Sequence, residues 1–468
     1  MIQLNKCLKL FFTSLLLTIF SEVFAQSFPV VRIPVEQRNF TSTAIENEIT
    51  AIQKKMKDPE LAWMFGNCFP NTLDRTINFT TTNGKPDTFV ITGDIFAMWL
   101  RDSSAQVWPY LPFMQQDKKL QQLIAGVINR QINSVLIDPY ANAFNREKEG
   151  SEWQTDITTM RPELHERKWE LDGLCYVIRL SYEYWKKTGD ASCFDTDWQN
   201  AMKLIVKTFH EQQRKTDNGP YRFLRKTEKA SDTQFGNGYG NPFRPTGMIC
   251  SMFRPSDDAT TYAFMIPSNC FAVVSLHQLA EIEKALKVEN DFASECLILA
   301  NEIDASIQKY GIIKHPKYGK IYAYEVDGFG NYLMMDDAGA PSLLSLPYLG
   351  YCDLKNPVYK NTRRFVWSDD NPYFYKGSVA EGIGGPHIGQ DMVWPMAIIM
   401  KALTSNDKNE ITQCIKALKV THAGTGFMHE SFNKNNPANF TRPWFSWANT
   451  LFGELIIKVE NEFPELLK

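Results

Sequence analysis

Three short segments of the 468-residue chain concentrate the side chains that could do chemistry. In the first, TGDIFAMWLRDSS from Thr92 to Ser104, Asp94, Trp99, Arg101 and Asp102 lie close together. Arg101 offers a planar fork of donors and Asp102 offers acceptors, the two complements that clustered hydroxyl groups require. The same pair could equally staple a helix. In the second, FRPSDDA from Phe253 to Ala259, any one of Ser256, Asp257 and Asp258 could cap a following helix. A cap does not need both carboxylates. Adjacent acids in a Pro-led turn can diverge, one capping and one entering a pocket. A carboxyl crowded by negative neighbours keeps its proton to higher pH, which suits a general acid. In the third, HAGTGFMHESF from His422 to Phe432, Glu430 stands between His429 and Ser431 after a glycine-bearing loop, with Trp444, Trp447 and Asn449 shortly beyond. A general base needs such an ionised carboxylate fixed by neighbours, although a surface glutamate beside core aromatics would read the same way.

Weaker polar loops occur at WELDG (Trp169–Gly173), PSN (Pro267–Asn269), MDDAG (Met335–Gly339) and GPHIGQ (Gly385–Gln390). Asp336 and Asp337 lack the alternating oxygen ligands of a calcium loop. His387, His422 and His429 form no metal-binding spacing, and HExxH is absent. There is no GxSxG elbow for a nucleophilic serine. EGIGGPH, Glu381–His387, lacks the Lys-Ser/Thr of a phosphate loop, and no GxGxxG follows a strand. The net charge of −3 gives no basic field for nucleic acid. With 13% aromatic residues, what remains is an aromatic pocket bearing several carboxylates, a combination that fits cleavage of a glycosidic bond.

The elements that must position these residues read as helical. Apolar residues recur at helical spacing over 43–63 and 117–136, where Leu120, Leu123, Ile124, Val127 and Ile128 share a face. Further helices are predicted over 171–187, 198–213, 268–286, 288–309, 389–403, 408–420 and 446–462. Strand signals are short, at Phe89–Ile91 and Lys320–Glu325. The absence of βαβ rhythm and the long irregular connections predict two nested helical layers, with function carried on the loops.

At the N-terminus, Lys6 and Lys9 precede an apolar run, Leu10–Phe20, and Val23-Phe24-Ala25 forms a cleavage site before Gln26. This predicts a signal peptide over 1–25 and a single catalytic domain over 26–468, with a short irregular N-terminal extension and no stable membrane insertion. Eight cysteines follow, widely spread and without a CxxC pair. Most are expected to be buried thiols, leaving room for one or two bridges.

The ordered set WLRDSSAQVWPY, FRPSDDA, NYLMMDDAG, GGPHIGQDMVWP and GFMHESF resembles glycoside hydrolase family 125, from about residue 40 to the end. The resemblance implies an all-α (α/α)6 barrel and an exo-acting α-1,6-mannosidase that inverts the anomeric centre, with no metal or other cofactor. Its partner would be a mannose-containing glycan, its state monomeric and its location periplasmic or secreted. Carried over motif by motif, Asp257 resembles the general acid and Glu430 the general base, with Asp258 the rival for the acid. Arg101 and Asp102 resemble contacts to the terminal mannose. Trp99, Trp169, Asp172, Asn269, Asp336, His387 and Trp444 are expected to line the pocket. An α-glucosidase or a calcium-dependent α-1,2-mannosidase of the same architecture, and a non-catalytic glycan-binding protein, are the alternative readings.

Overall fold

The computed structural model describes residues 28–468 apart from 288–289, so the predicted signal segment lies outside the described residues. Thirteen α-helices follow one another: α1 Thr43–Lys55, α2 Pro59–Cys68, α3 Asn71–Arg75, α4 Leu100–Val107, α5 Lys118–Ile137, α6 Leu171–Thr188, α7 Thr196–Gln212, α8 Ile266–Leu286, α9 Asn290–Ser306, α10 Pro357–Val366, α11 Pro395–Leu403, α12 Lys408–Thr421 and α13 Ser446–Glu462. The main hydrophobic core is continuous from Ala44 to Leu467.

The helices sort into an inner and an outer layer, the arrangement of an (α/α)6 toroid. Helix α4 packs on α6, α6 on α8, α11 on α13, and α13 closes back on α4. Outside them lie α1 and α2, α5, α7, α9, α10 and α12. The fourth inner position, between α8 and α11, holds no helix. An irregular segment buried throughout 335–346 fills it. The Tyr176 hydroxyl of α6 donates to Ala340 O at 2.9 Å, and the Tyr359 hydroxyl of α10 donates to Leu344 O at 2.9 Å. Asp336 organises this segment by accepting from the N–H groups of Leu343 and Leu344 at 2.8 and 3.0 Å.

The two layers begin their helices differently. Six outer helices carry a side-chain cap: Ser42, Asp58, Asp117, Asp195, Asn356 and Asp407 accept from first-turn N–H groups of α1, α2, α5, α7, α10 and α12. Each such cap is worth about 1 kcal/mol. The inner helices α4, α6, α8, α11 and α13 have no side-chain cap, and the residue before each is extended. Their first-turn N–H groups and positive dipole ends are thus left free of caps.

Two predicted helices are shorter than expected. The span 43–63 breaks because Asp58-Pro59 starts a new helix, Asp as cap and Pro in the first turn. The span 389–403 begins only at Pro395, since Gly389 and Asp391 adopt φ of +91° and +68°. The predicted strand at 320–325 divides into Gly319–Tyr322 and Glu325–Val326. Among the described residues, the eight cysteines are free thiols, seven of them buried, with no bridge between them.

Asp336→Ala would strand two buried N–H groups and is expected to cost about 1–3 kcal/mol. Asp336→Asn, which keeps an acceptor oxygen, should lose less. Thermal unfolding of both variants checks this; an Ala variant as stable as the parent would contradict it.

Candidate active site

The segments that lead into the inner helices converge on one cavity. It is lined by Thr92, Ile95, Trp99, Arg101 and Asp102 at the start of α4, by Pro255, Ser256 and Asp257 from the loop before α8, and by Gly339 of the irregular inner segment. His387 and Trp394 before α11, and Glu430, Arg442, Phe445 and Trp447 around the start of α13, complete it. Its volume is about 60 Å³, against the about 10–15 Å³ that one water requires. Four aromatic rings, Trp99, Trp394, Phe445 and Trp447, stand against this polar set, the pairing of apolar face and hydroxyl partner that a pyranose presents.

Arg101 forms the floor. It is 3% exposed. Its Nη1 donates to Glu170 Oε2 at 2.6 Å and to Asp172 Oδ2 at 3.2 Å, and its Nε lies 3.6 Å from Asp102 Oδ1. Burial would discharge the guanidinium, but Glu170, Asp172, Asp102 and Asp257 hold its pKa far above the ordinary value. Burial also raises the Asp102 carboxyl, against the opposing pull of Arg101 and a hydrogen bond from the Thr92 hydroxyl.

The FRPSDDA turn separates its two acids. Asp257 adopts φ +68°, a left-handed conformation unusual for a residue with a side chain, and faces the cavity while partly exposed. Asp258 is fully buried and does not line the cavity, with Lys229 Nζ 3.6 Å from its Oδ1. The turn is held tightly. Arg254 N donates to Asp258 O at 2.8 Å, Asp257 N to Arg254 O at 2.9 Å, and Lys168 Nζ to Asp257 O at 3.0 Å. Ser256 donates to Asp337 at 2.6 Å. A Cβ on Gly339 would stand 3.3 Å from Pro255 Cβ, so glycine lets the inner segment approach the turn.

Glu430 is 8% exposed and sits just before a short strand, Ser431–Asn433, paired with Met392–Val393 and Phe440–Thr441. This pairing returns the chain so that Arg442 Nε lies 3.6 Å from Glu430 Oε1. His429 stacks on Phe440 at 3.8 Å, and its Nδ1 donates to Arg442 O at 2.9 Å. Asn449 of α13 accepts from Met428 N at 2.7 Å. The glutamate is therefore fixed on both sides.

Of the residues expected in the pocket, Asp257, Glu430, Arg101, Asp102, Trp99 and His387 line the cavity. Four do not, and a fifth stands outside it. Trp169 is core, its indole donating to Cys250 O at 2.7 Å while its carbonyl accepts from Met252 and Phe253. Asn269 clasps Ile249 through both its N–H and its carbonyl. These two position the strand of chain that leads to Asp257. Asp336 is buried and pushed up to about 8 by burial, serving the inner segment described above. Asp172 lies wholly buried beneath Arg101. Trp444 stands behind the loop at Gly93, with the Arg75 guanidinium 5.5 Å from its ring. Sequence reading passed over Glu170, Lys168, Trp394 and Arg442. Glu170 lay inside the WELDG segment between two residues that were singled out. Arg442 carried no local signal, since only the strand pairing brings it to Glu430.

A model of the metal-independent α-mannosidases, GH125, matches residues 58–457. The chain belongs to this family. It is 44% identical over 459 residues to the meiotically up-regulated gene 157 protein of Schizosaccharomyces pombe, covering 94% of this chain and 90% of that one. It is also 42% identical to a metal-independent α-mannosidase of Streptococcus pneumoniae solved in a non-productive complex with α-1,6-mannobiose, with a TM-score of 0.87 over 90% of this chain and 99% of that one. A bacterial glucoamylase in complex with acarbose shares the fold at 12% identity, with a TM-score of 0.54 over 90% of this chain and 60% of that one. As a GH125 member the chain is an α-mannosidase, and of its two adjacent aspartates only Asp257 reaches the cavity. Asp257→Asn is expected to lower kcat/KM on a mannobiose by about 10²–10⁴-fold, whereas Asp258→Asn should retain most activity. The reverse order would contradict the placement.

Proposed function

We propose that this α-mannosidase releases single mannose units from non-reducing α-1,6-linked ends, in one inverting step, with Asp257 as general acid and Glu430 as general base. The observation that carries the reading is the pair of carboxyl groups brought into one small aromatic cavity from the loops before α8 and α13. The α-1,6 linkage follows the disaccharide bound by the pneumococcal relative.

In this scheme the terminal mannose stacks on the tryptophans while Arg101 and Asp102 hold its hydroxyls. Asp257 gives its proton to the glycosidic oxygen as the bond to the anomeric carbon breaks. A water on the other face forms the new bond and passes a proton to Glu430. Arg442 Nε, 3.6 Å from Glu430 Oε1, helps to hold this base in place. Inversion requires room for that water, hence carboxyl groups about 6.5–9.5 Å apart. The reading includes export of the enzyme through its N-terminal segment, with the mature chain starting near Gln26.

Time-resolved proton NMR on linkage-defined mannobioses tests linkage, exo action and stereochemistry together. We expect β-mannose as the first product, fastest from the 1,6 isomer, with no loss after dialysis against EDTA. α-Mannose as the first product would overturn the inverting scheme, and EDTA inactivation would favour a calcium-dependent enzyme.

A further inference from the structure

A second concavity lies beside the first, and the reaction as proposed does not use it. Its volume is about 850 Å³. Small-molecule sites span about 300–1,000 Å³. One short turn divides the two. Over Thr92–Ala97 the chain reverses, with Thr92 N donating to Ala97 O at 3.1 Å. Ile95 of this turn lines the cavity that holds Asp257 and Glu430, and the next residue, Phe96, lines the groove. Asp94 at the tip is exposed, and Arg442 Nη1 lies 3.6 Å from its Oδ1. The turn is therefore a rim shared by cavity and groove.

The groove offers a ring, donors and acceptors. Phe96 is 81% exposed. A lone exposed ring is commonplace, but this one walls a groove beside unused donors. Arg75 ends α3 with its guanidinium 5.5 Å from the Trp444 ring and 6.0 Å from the Phe427 ring. Among the described residues its side chain makes no hydrogen bond or ion pair, since the neighbouring Asp74 is taken by Arg32 at 2.7 Å. The rings hold the guanidinium without using its N–H groups, which are left to the groove. Asn78, from the strand Ile77–Thr82, adds an amide. Glu147 and Glu149 add acceptors from the segment after the strand Ala143–Phe144. That strand pairs with Met98–Trp99, so this part of the groove and Trp99 of the cavity hang from one ribbon.

We propose that this groove binds the part of a mannan chain that continues beyond the sugar being released, so that the enzyme grips longer α-mannosides more tightly than disaccharides. The inference rests on the exo-α-1,6-mannosidase reading above. The lining selects the occupant. Arg75, Arg146 and Asn78 donate, while Glu147 and Glu149 accept. An anionic ligand would meet the two glutamates, and a purely apolar partner would strand the charged groups. A neutral polyhydroxyl uses donors and acceptors together and can lay an apolar ring face on Phe96. The remainder of the substrate has this chemistry. An exo enzyme holds only the terminal sugar in its cavity, so the rest of the chain lies outside, and the turn at Thr92–Ala97 is the wall with a groove behind it. Phe96 and Arg75 touch no reacting atom in this scheme. They add binding equally to substrate and transition state, which lowers KM and leaves kcat unchanged.

The test compares α-1,6-mannobiose with α-1,6-mannotetraose in the parent enzyme, in Phe96→Ala and in Arg75→Met. In the parent, KM for the tetraose should lie about 5–20-fold below that for the biose, at similar kcat. Phe96→Ala should erase most of this gap by raising KM for the tetraose, with kcat on both substrates and KM for the biose moving less than about 2-fold. Arg75→Met keeps the aliphatic stem against the rings, removes the donors, and should act in the same direction. Equal KM values for the two substrates in the parent, or equal losses on both in Phe96→Ala, would overturn the groove and leave the α-1,6 assignment intact. No cleavage of mannobiose by the parent would instead remove the assignment itself. An exposed ring could equally seat a second copy of the chain. A concentration-dependent dimer in sedimentation that Phe96→Ala converts to monomer, with KM for the tetraose unchanged, would give the groove to that contact and overturn the proposal.

Discussion

The site depends on one buried cation. Arg101 at the start of α4 reaches across to Glu170 and Asp172 at the start of α6, with Asp102 beside it. No water-exposed pair would hold this geometry firmly, and a buried pair is seldom a net source of stability. Its value here is in what it permits. The guanidinium opposes the burial that raises the carboxyls of Asp102, Glu170 and Asp172. With it, two inner helices are joined at the floor of the cavity.

The two-layer frame supplies the rest. Outer helices end their exposed first turns with Ser, Asp or Asn caps, so they are complete without the site. Inner helices are entered from extended chain without a side-chain cap from the residue before them. The starts of α4, α11 and α13 line the cavity, and their positive dipole ends favour the carboxylates that the chemistry needs. The irregular segment at the fourth inner position is a departure from helical regularity with a use. It carries Gly339 against the turn of Asp257, where a Cβ would stand a tight 3.3 Å from Pro255 Cβ.

Much of this was legible in the sequence because helical spacing and short polar motifs are local signals. Leu120, Leu123, Ile124, Val127 and Ile128 do form the buried face of α5. Asp257 and Glu430 were visible because each sits in a compact, unusual turn. What escaped was set by contacts across the chain. WELDG presented three polar or aromatic candidates of equal appearance, and only packing shows that Trp169 braces the core while Glu170 and Asp172 both accept from Arg101. Asn269 and Asp336 lie outside the cavity lining, and they looked like lining residues for a shared reason: a buried amide or carboxyl that satisfies backbone groups has the same sequence signature as one that contacts a ligand.

The central claim is that one mannose ring is held in the small cavity between Asp257 and Glu430. A crystal structure of Glu430→Gln with α-1,6-mannobiose tests it most directly. The account predicts the non-reducing ring against Trp99 and Arg101, the glycosidic oxygen within hydrogen-bonding reach of Asp257, and space for a water beside residue 430. It predicts side-chain carbons of the two residues spaced for an inverting enzyme, about 6.5–9.5 Å between the carboxyl positions. A mannose ring bound away from both residues, or a spacing near 5 Å with no room for water, would contradict it.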